Sequence, residues 1–102
     1  MNTGERMNVT VLHNAAAQRF EAVVDGQLSK VNYRIDDGAM RLVHTEVPHA
    51  MEGRGIAAAM VKAALDHARA QGLKVAPVCS YVRAYMRRHP ETQGLLEAGN
   101  PR

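Results

Sequence analysis

With 102 residues, 46% of them hydrophobic and 23% charged, the chain has room for one buried core and not for two, and its composition excludes both a disordered tract and a membrane protein. The formal charge of +3 is modest and dispersed apart from Arg87 and Arg88, which makes nucleic acid a weak candidate partner and suits a phosphate-bearing small molecule. Cys79 is the single cysteine, so no intramolecular disulfide can form and a reducing cytoplasm is expected.

No stretch approaches the roughly 20 apolar residues that a bilayer crossing needs. Residues 1–8 read as a polar leader, 9–93 as one domain and 94–102 as a frayed tail. Val9, Val11 and Leu12 seed a short first strand. Arg19 to Val24, Gln27 to Ile35 and Ala39 to Val47 are rich in β-branched and aromatic residues, and Asp25-Gly26 and Asp36-Asp37-Gly38 lie between them. Two Asp-Gly turns predict a three-strand antiparallel meander. Alternation puts Val31, Tyr33 and Ile35 on one face, and Met40, Leu42 and His44 on one face of the next strand. Pro48 stops that strand because it has no N–H for the ladder.

From Ile56 to Ala70 apolar residues recur at helical spacing, with Lys62, Asp66 and Arg69 on the other side and Gly72 as the C-terminal stop. Leu73 to Val78 reads as a strand covered by that helix, which makes a βαβ unit. Tyr81 to Arg88 predicts a second, shorter helix with Ser80 as N-cap and Pro90 beyond its end. The fold class is α/β in the α+β sense: a mixed sheet in which a meander is followed by βαβ.

The most informative segment runs from His44 to Ala57, where a strand ends, a glycine loop intervenes and the long helix starts. Gly53 and Gly55 lack Cβ atoms, so the backbone can curl around a ligand, and the helix behind them offers unpaired N–H groups with positive dipole character. Such a turn suits a diphosphate. A Gly-x-Gly alone is equally well explained as a tight connecting loop.

In Glu52-Gly53-Arg54-Gly55-Ile56-Ala57 the chain resembles the GNAT superfamily, whose signature is Gln or Arg, two residues, Gly, one residue, then Gly or Ala, between the fourth strand and a long helix. Glu52 departs from the first position. His44-Thr45-Glu46-Val47-Pro48, Val75-Ala76-Pro77-Val78-Cys79-Ser80-Tyr81-Val82 and Arg88-His89-Pro90-Glu91 sharpen the resemblance to a small group of acetyl-CoA-binding, N-acetyltransferase-like domains. It covers about Phe20 to Glu91.

The resemblance implies a GNAT-like mixed sheet and acetyl-CoA as cosubstrate, cradled by Gly53, Arg54, Gly55, Ile56 and Ala57, with its pantetheine arm along Glu46 and Val47. It also implies catalytic roles: Cys79 as an acyl-accepting nucleophile, Tyr85 as the acid for the departing CoA thiolate, and Glu46 as a base. Each has a plain structural alternative, since a free cysteine is most often a packing residue and a helical tyrosine is often half-buried core. Arg54, Lys62, Arg87 and Arg88 are the candidate phosphate cations. The histidines show no zinc spacing, and no metal is expected.

The expected activity is acetyl transfer from acetyl-CoA to a primary amine, directly or through acetyl-Cys79. A non-catalytic acyl-CoA-binding module is the alternative, and a small nucleic-acid-binding domain is a distant third. Homodimerisation would supply acceptor-site walls that so short a chain lacks.

Overall fold

The computed structural model describes residues 9–98, so the polar leader and residues 99–102 of the tail lie outside it. Five strands, β1 (Leu12–Asn14), β2 (Arg19–Val24), β3 (Gln27–Asp36), β4 (Ala39–Glu46) and β5 (Lys74–Pro77), form one sheet in the order 1-2-3-4-5. The first four pair antiparallel, while β4 and β5 are parallel and joined through helix α1 (Ile56–Ala70). A second helix, α2 (Ser80–Arg88), follows β5. The mixed sheet, meander and βαβ unit are as the sequence predicts.

Both Asp-Gly turns form, with Asp25 and Gly26 at φ 52° and 74° and Asp37 and Gly38 at 49° and 73°. Two successive left-handed residues give the turn whose twist matches its flanking strands. Helix α1 ends as its Gly72 suggests. With Gly72 at φ 70°, its N–H donates to the Arg69 carbonyl and that of Leu73 to the Ala68 carbonyl, so two terminal carbonyls find partners.

Helix α1 packs across β2 and β3, and α2 lies against β4 and β5 while touching α1. One core joins Phe20, Val31 and Leu42 of the sheet to Met60, Val61 and Leu65 of α1 and to Val82 and Met86 of α2. Each large side chain buried there contributes about 1.5–3 kcal/mol. The opposite sheet face leaves Val23 and Leu28 exposed and carries the ion pairs Lys30–Glu46 and Arg41–Asp36.

Three details differ from the sequence-based expectations. Asn32 pairs with His44 but Tyr33 pairs with Leu42, which leaves Val43 as an extra residue in β4. This bulge resets the alternation. Val31 therefore opposes Thr45, so Thr45 and not His44 shares the covered face with Met40 and Leu42, and His44 is exposed. The cap of α2 is Cys79 rather than Ser80. The tail is ordered at its start: Pro90–Leu95 forms a 3-10 turn, Leu95 is buried, and Leu96 bridges to Val75. Glu97 makes two bonds to the Arg41 guanidinium, at 3.2 and 3.1 Å.

The short β1 is held by a cluster of rings. His13 stacks on Phe20 with centroids 4.3 Å apart, its Nε2 lies 2.6 Å from the Tyr33 hydroxyl, and His67 of α1 meets it edge-on at 4.4 Å. Burial, and then the neighbouring His67, hold the His13 imidazole below its ordinary value of 6.5. Above that pH His13 is neutral whether the chain is folded or unfolded, and the cluster contributes fully. As the pH falls through 6.5 the unfolded chain binds the proton first, so stability is lost. The melting temperature is expected to hold from about pH 8 to about pH 7 and to fall toward about pH 5. In His13→Phe, which keeps a ring on Phe20 but removes the titration, that fall should be smaller, as thermal denaturation across the range will check.

Candidate functional site

Parallel pairing of β4 with β5 covers only Ala39 to Leu42 against Lys74 to Pro77. The last backbone bond between them, among the described residues, runs from the Cys79 N–H to the Leu42 carbonyl at 2.9 Å. Beyond it β4 continues to Glu46, while the other chain turns into α2. The strands part, and the backbone of β4 on that side is left without a neighbouring strand.

A groove of about 530 Å³ lies there, lined by Thr45, Glu46 and Val47 of the strand end, Met51 to Gly53 of the loop, Gly55 to Ala58 at the start of α1, and Tyr81 of α2. Pro48 ends the strand, a 3-10 turn (His49–Met51) seats Met51 in the core, and the chain then reverses through Gly53 at φ 81° and Gly55 at φ 79°. Both glycines sit in left-handed conformations with open space where a Cβ would be. Only glycine adopts these without strain, and at neither position does a side chain fill the turn.

Gly55 is the N-cap of α1, no side chain caps the helix there, and its first turn holds no acidic residue. The helix N-terminus therefore presents N–H groups and the positive end of its dipole to the groove, a combination that binds phosphate groups. The curved backbone cradle leads from this helix start to the free edge of the strand.

The groove brings together Glu46, Val47, Gly53, Gly55, Ile56 and Ala57 of the residues singled out by sequence. Arg54 is not among its lining residues: its Nη1 is 3.1 Å from Asp25 Oδ2 and 3.3 Å from Met51 Sδ, which ties the loop to the β2–β3 turn. Lys62 is likewise engaged, 2.9 Å from Asp66. Glu52 lies in the lining, and its carboxylate is 3.3 Å from His49. Glu46 is exposed, with His44 at 3.6 Å and Lys30 at 3.8 Å.

Cys79 is not among the lining residues either; it is half-buried where the strands part, with its Sγ 3.4 Å from the hydroxyl of Thr45, which does line the groove. Burial alone pushes the thiol up. The Thr45 hydroxyl and the N–H groups of Val82, Tyr81 and Thr45 outweigh it and leave the thiol below its ordinary value. Tyr85 lies elsewhere: it is 6% exposed, stacks on His89 at 4.0 Å, and lies outside the groove lining, with its phenol pushed up by burial. One helical turn earlier Tyr81 lines the groove, and burial raises its phenol too, partly offset by Arg88. Thr45 and Tyr81 are polar lining residues to which the sequence reading gave no role. Among the described residues no group of three or more metal-ligating side chains is gathered, and no helix is long and apolar enough to cross a membrane.

Residues 19–95 match the family model of the GCN5-related N-acetyltransferases. The protein NATD1 of Mus musculus is 33% identical over 90 residues, a span covering 85% of this chain and 82% of that protein. NATD1 of Homo sapiens is 33% identical over the same length, covering 85% and 80%. A GCN5-like protein of Staphylococcus aureus, solved by NMR, superposes with a TM-score of 0.64 at 23% identity, over 90% of this chain and 94% of that one. That likeness concerns the fold.

The left-handed glycine turn makes a direct test. Gly55→Ala forces an L side chain to a positive φ with no clash to relieve, and should cost about 1–2 kcal/mol in urea denaturation. Gly94→Ala, also in open space but without a positive φ, is the control and should change stability by less than about 0.5 kcal/mol.

Proposed function

This chain belongs to the GCN5-related N-acetyltransferase family, and from that premise we propose that it transfers an acetyl group from acetyl-CoA to a primary amine. The observation that carries the reading is the groove that joins the uncapped N-terminus of α1, through Gly53 and Gly55, to the strand edge where β4 leaves β5. In this reading the N–H groups from Gly53 to Ala58 hold the diphosphate, and the backbone of Glu46 and Val47 takes the pantetheine arm as an added strand. The thioester then lies toward Cys79 and Tyr81.

The lowered thiol of Cys79 supports a covalent route. The Cys79 thiolate forms a bond to the acetyl carbon, the bond from that carbon to the CoA sulfur breaks, and Tyr81 protonates the departing thiolate. The amine then attacks acetyl-Cys79, which forms the amide and frees the Cys79 thiolate; Glu46, whose side chain is on the other face of β4 from Thr45, takes no part in the step. The proton that the amine gives up returns through solvent to Tyr81. Tyr81 replaces Tyr85 as the acid in this scheme because Tyr81 lines the groove and Tyr85 does not.

A non-catalytic acyl-CoA-binding module is the second reading, favoured by the burial of Tyr85 away from the groove. The two part on turnover. A nucleic-acid-binding role gains nothing from Arg41, Arg54 and Lys62, which are already paired with carboxylates.

Acetyl-CoA should raise the melting temperature, with a stabilisation of about 2.7 kcal/mol at a hundredfold excess over its dissociation constant. No shift at millimolar ligand overturns the donor assignment. Mass spectrometry after incubation with acetyl-CoA should find one added acetyl group on Cys79, and Cys79→Ala should lose turnover; unchanged turnover in that variant eliminates the covalent route. Glu52→Gln removes an anion from the diphosphate end of the groove and should tighten CoA severalfold by calorimetry, with the gain shrinking as salt is added.

A further inference from the structure

The strand bulge at Val43 has a chemical result. Because β4 holds one residue more than β3 at that point, the side chain that faces the parting of the strands is Thr45, while His44 and Glu46 pair with Asn32 and Lys30 on the other face. Thr45 lines the groove, and its hydroxyl meets the Cys79 sulfur at 3.4 Å. Cys79 is held from the other side by its own backbone, whose N–H donates to Leu42 and whose carbonyl accepts from the Arg83 N–H in α2. The thiol is thus fixed between a strand and a helix start, with the Thr45 hydroxyl as its polar side-chain partner among the described residues.

We propose that Thr45 is the positioning residue for Cys79, tying the sulfur to the wall of the groove that Thr45 itself lines and stabilising the thiolate by donating a hydrogen bond to it. The role rests on the acyl-CoA reading above and deepens it. A hydroxyl suits the task because it donates one hydrogen bond to a thiolate without bringing a charge that a diphosphate-bearing ligand would attract or repel. The charged groups nearby leave the field to it. On β4, His44 and Glu46 engage each other across the far face; on α2, Arg83 donates to the Val78 carbonyl and Tyr81 is a neutral phenol with its proton held more tightly than usual. Among the described residues, Thr45 is thereby the side chain within hydrogen-bonding reach whose removal changes the ionisation of the thiol and leaves the backbone donors in place.

A single cysteine makes the test clean, since every alkylation event reports on Cys79. The rate of iodoacetamide alkylation is measured against pH for the wild type, Thr45→Val and Thr45→Ser, with Cys79→Ser as the blank. Valine keeps the β-branched shape, so the strand is preserved. The midpoint of the profile should rise in T45V and alkylation near neutral pH should slow by up to about tenfold, the ratio that one pKa unit sets, while T45S restores the wild-type profile. A T45V profile that coincides with wild type, or a T45S profile that stays with T45V, overturns the role of Thr45. In parallel the wild-type protein is melted with and without acetyl-CoA. If that shift is absent the acyl-CoA reading falls, and if it is present while the alkylation profiles coincide, Thr45 alone falls.

Discussion

The single bond from the Cys79 N–H to the Leu42 carbonyl marks the place where two parallel strands stop acting as a sheet. Had the pairing continued, the backbone of Thr45 to Val47 would have been covered by β5 and no groove could form beside it. Because pairing stops after Leu42, the polar edge of β4 needs another partner, and a ligand with amides of its own can supply one. The rest of the site follows from that parting. The chain leaving β5 must turn away, its first helical turn lies beside the gap, and Cys79 stands at the hinge.

The glycine loop serves the same opening from the other side. Pro48 ends β4, Met51 anchors the reversal in the core, and Gly53 and Gly55 bend the backbone so that α1 starts with its N–H groups toward the gap. Arg54, between the two glycines, pairs with Asp25 across to the β2–β3 turn. The loop therefore presents backbone donors to the groove while its cation braces the scaffold. Glu52 stays in the lining as an anion, with His49 3.3 Å from its carboxylate.

Much of this was legible in the sequence. The Asp-Gly pairs marked both hairpins because two left-handed residues in a row select for those side chains, and the apolar spacing from Ile56 to Ala68 left α1 with no other reading. Gly53 and Gly55 were legible for the same local reason. What escaped depended on pairing between distant residues. The bulge at Val43 arises from register against β3, which no local pattern encodes, so His44 was expected on the face that Thr45 occupies. Tyr81 and Tyr85 are one helical turn apart and chemically identical, and only the packing of α2 in the fold shows which meets the groove. The order beyond Gly94 was hidden likewise, since Leu96 and Glu97 find their partners in β5 and β4.

Those last residues do more than extend the chain. A sheet whose outer strand shows free N–H and carbonyl groups invites a neighbouring molecule to add itself on, and β5 would be such a margin. Leu96 bridges to Val75, the Glu97 N–H donates to the Val75 carbonyl at 2.9 Å, and the Glu97 carboxylate clasps Arg41 over the top. The protein thus uses a few residues past its last helical turn as a selvedge, giving part of that margin partners from within its own chain.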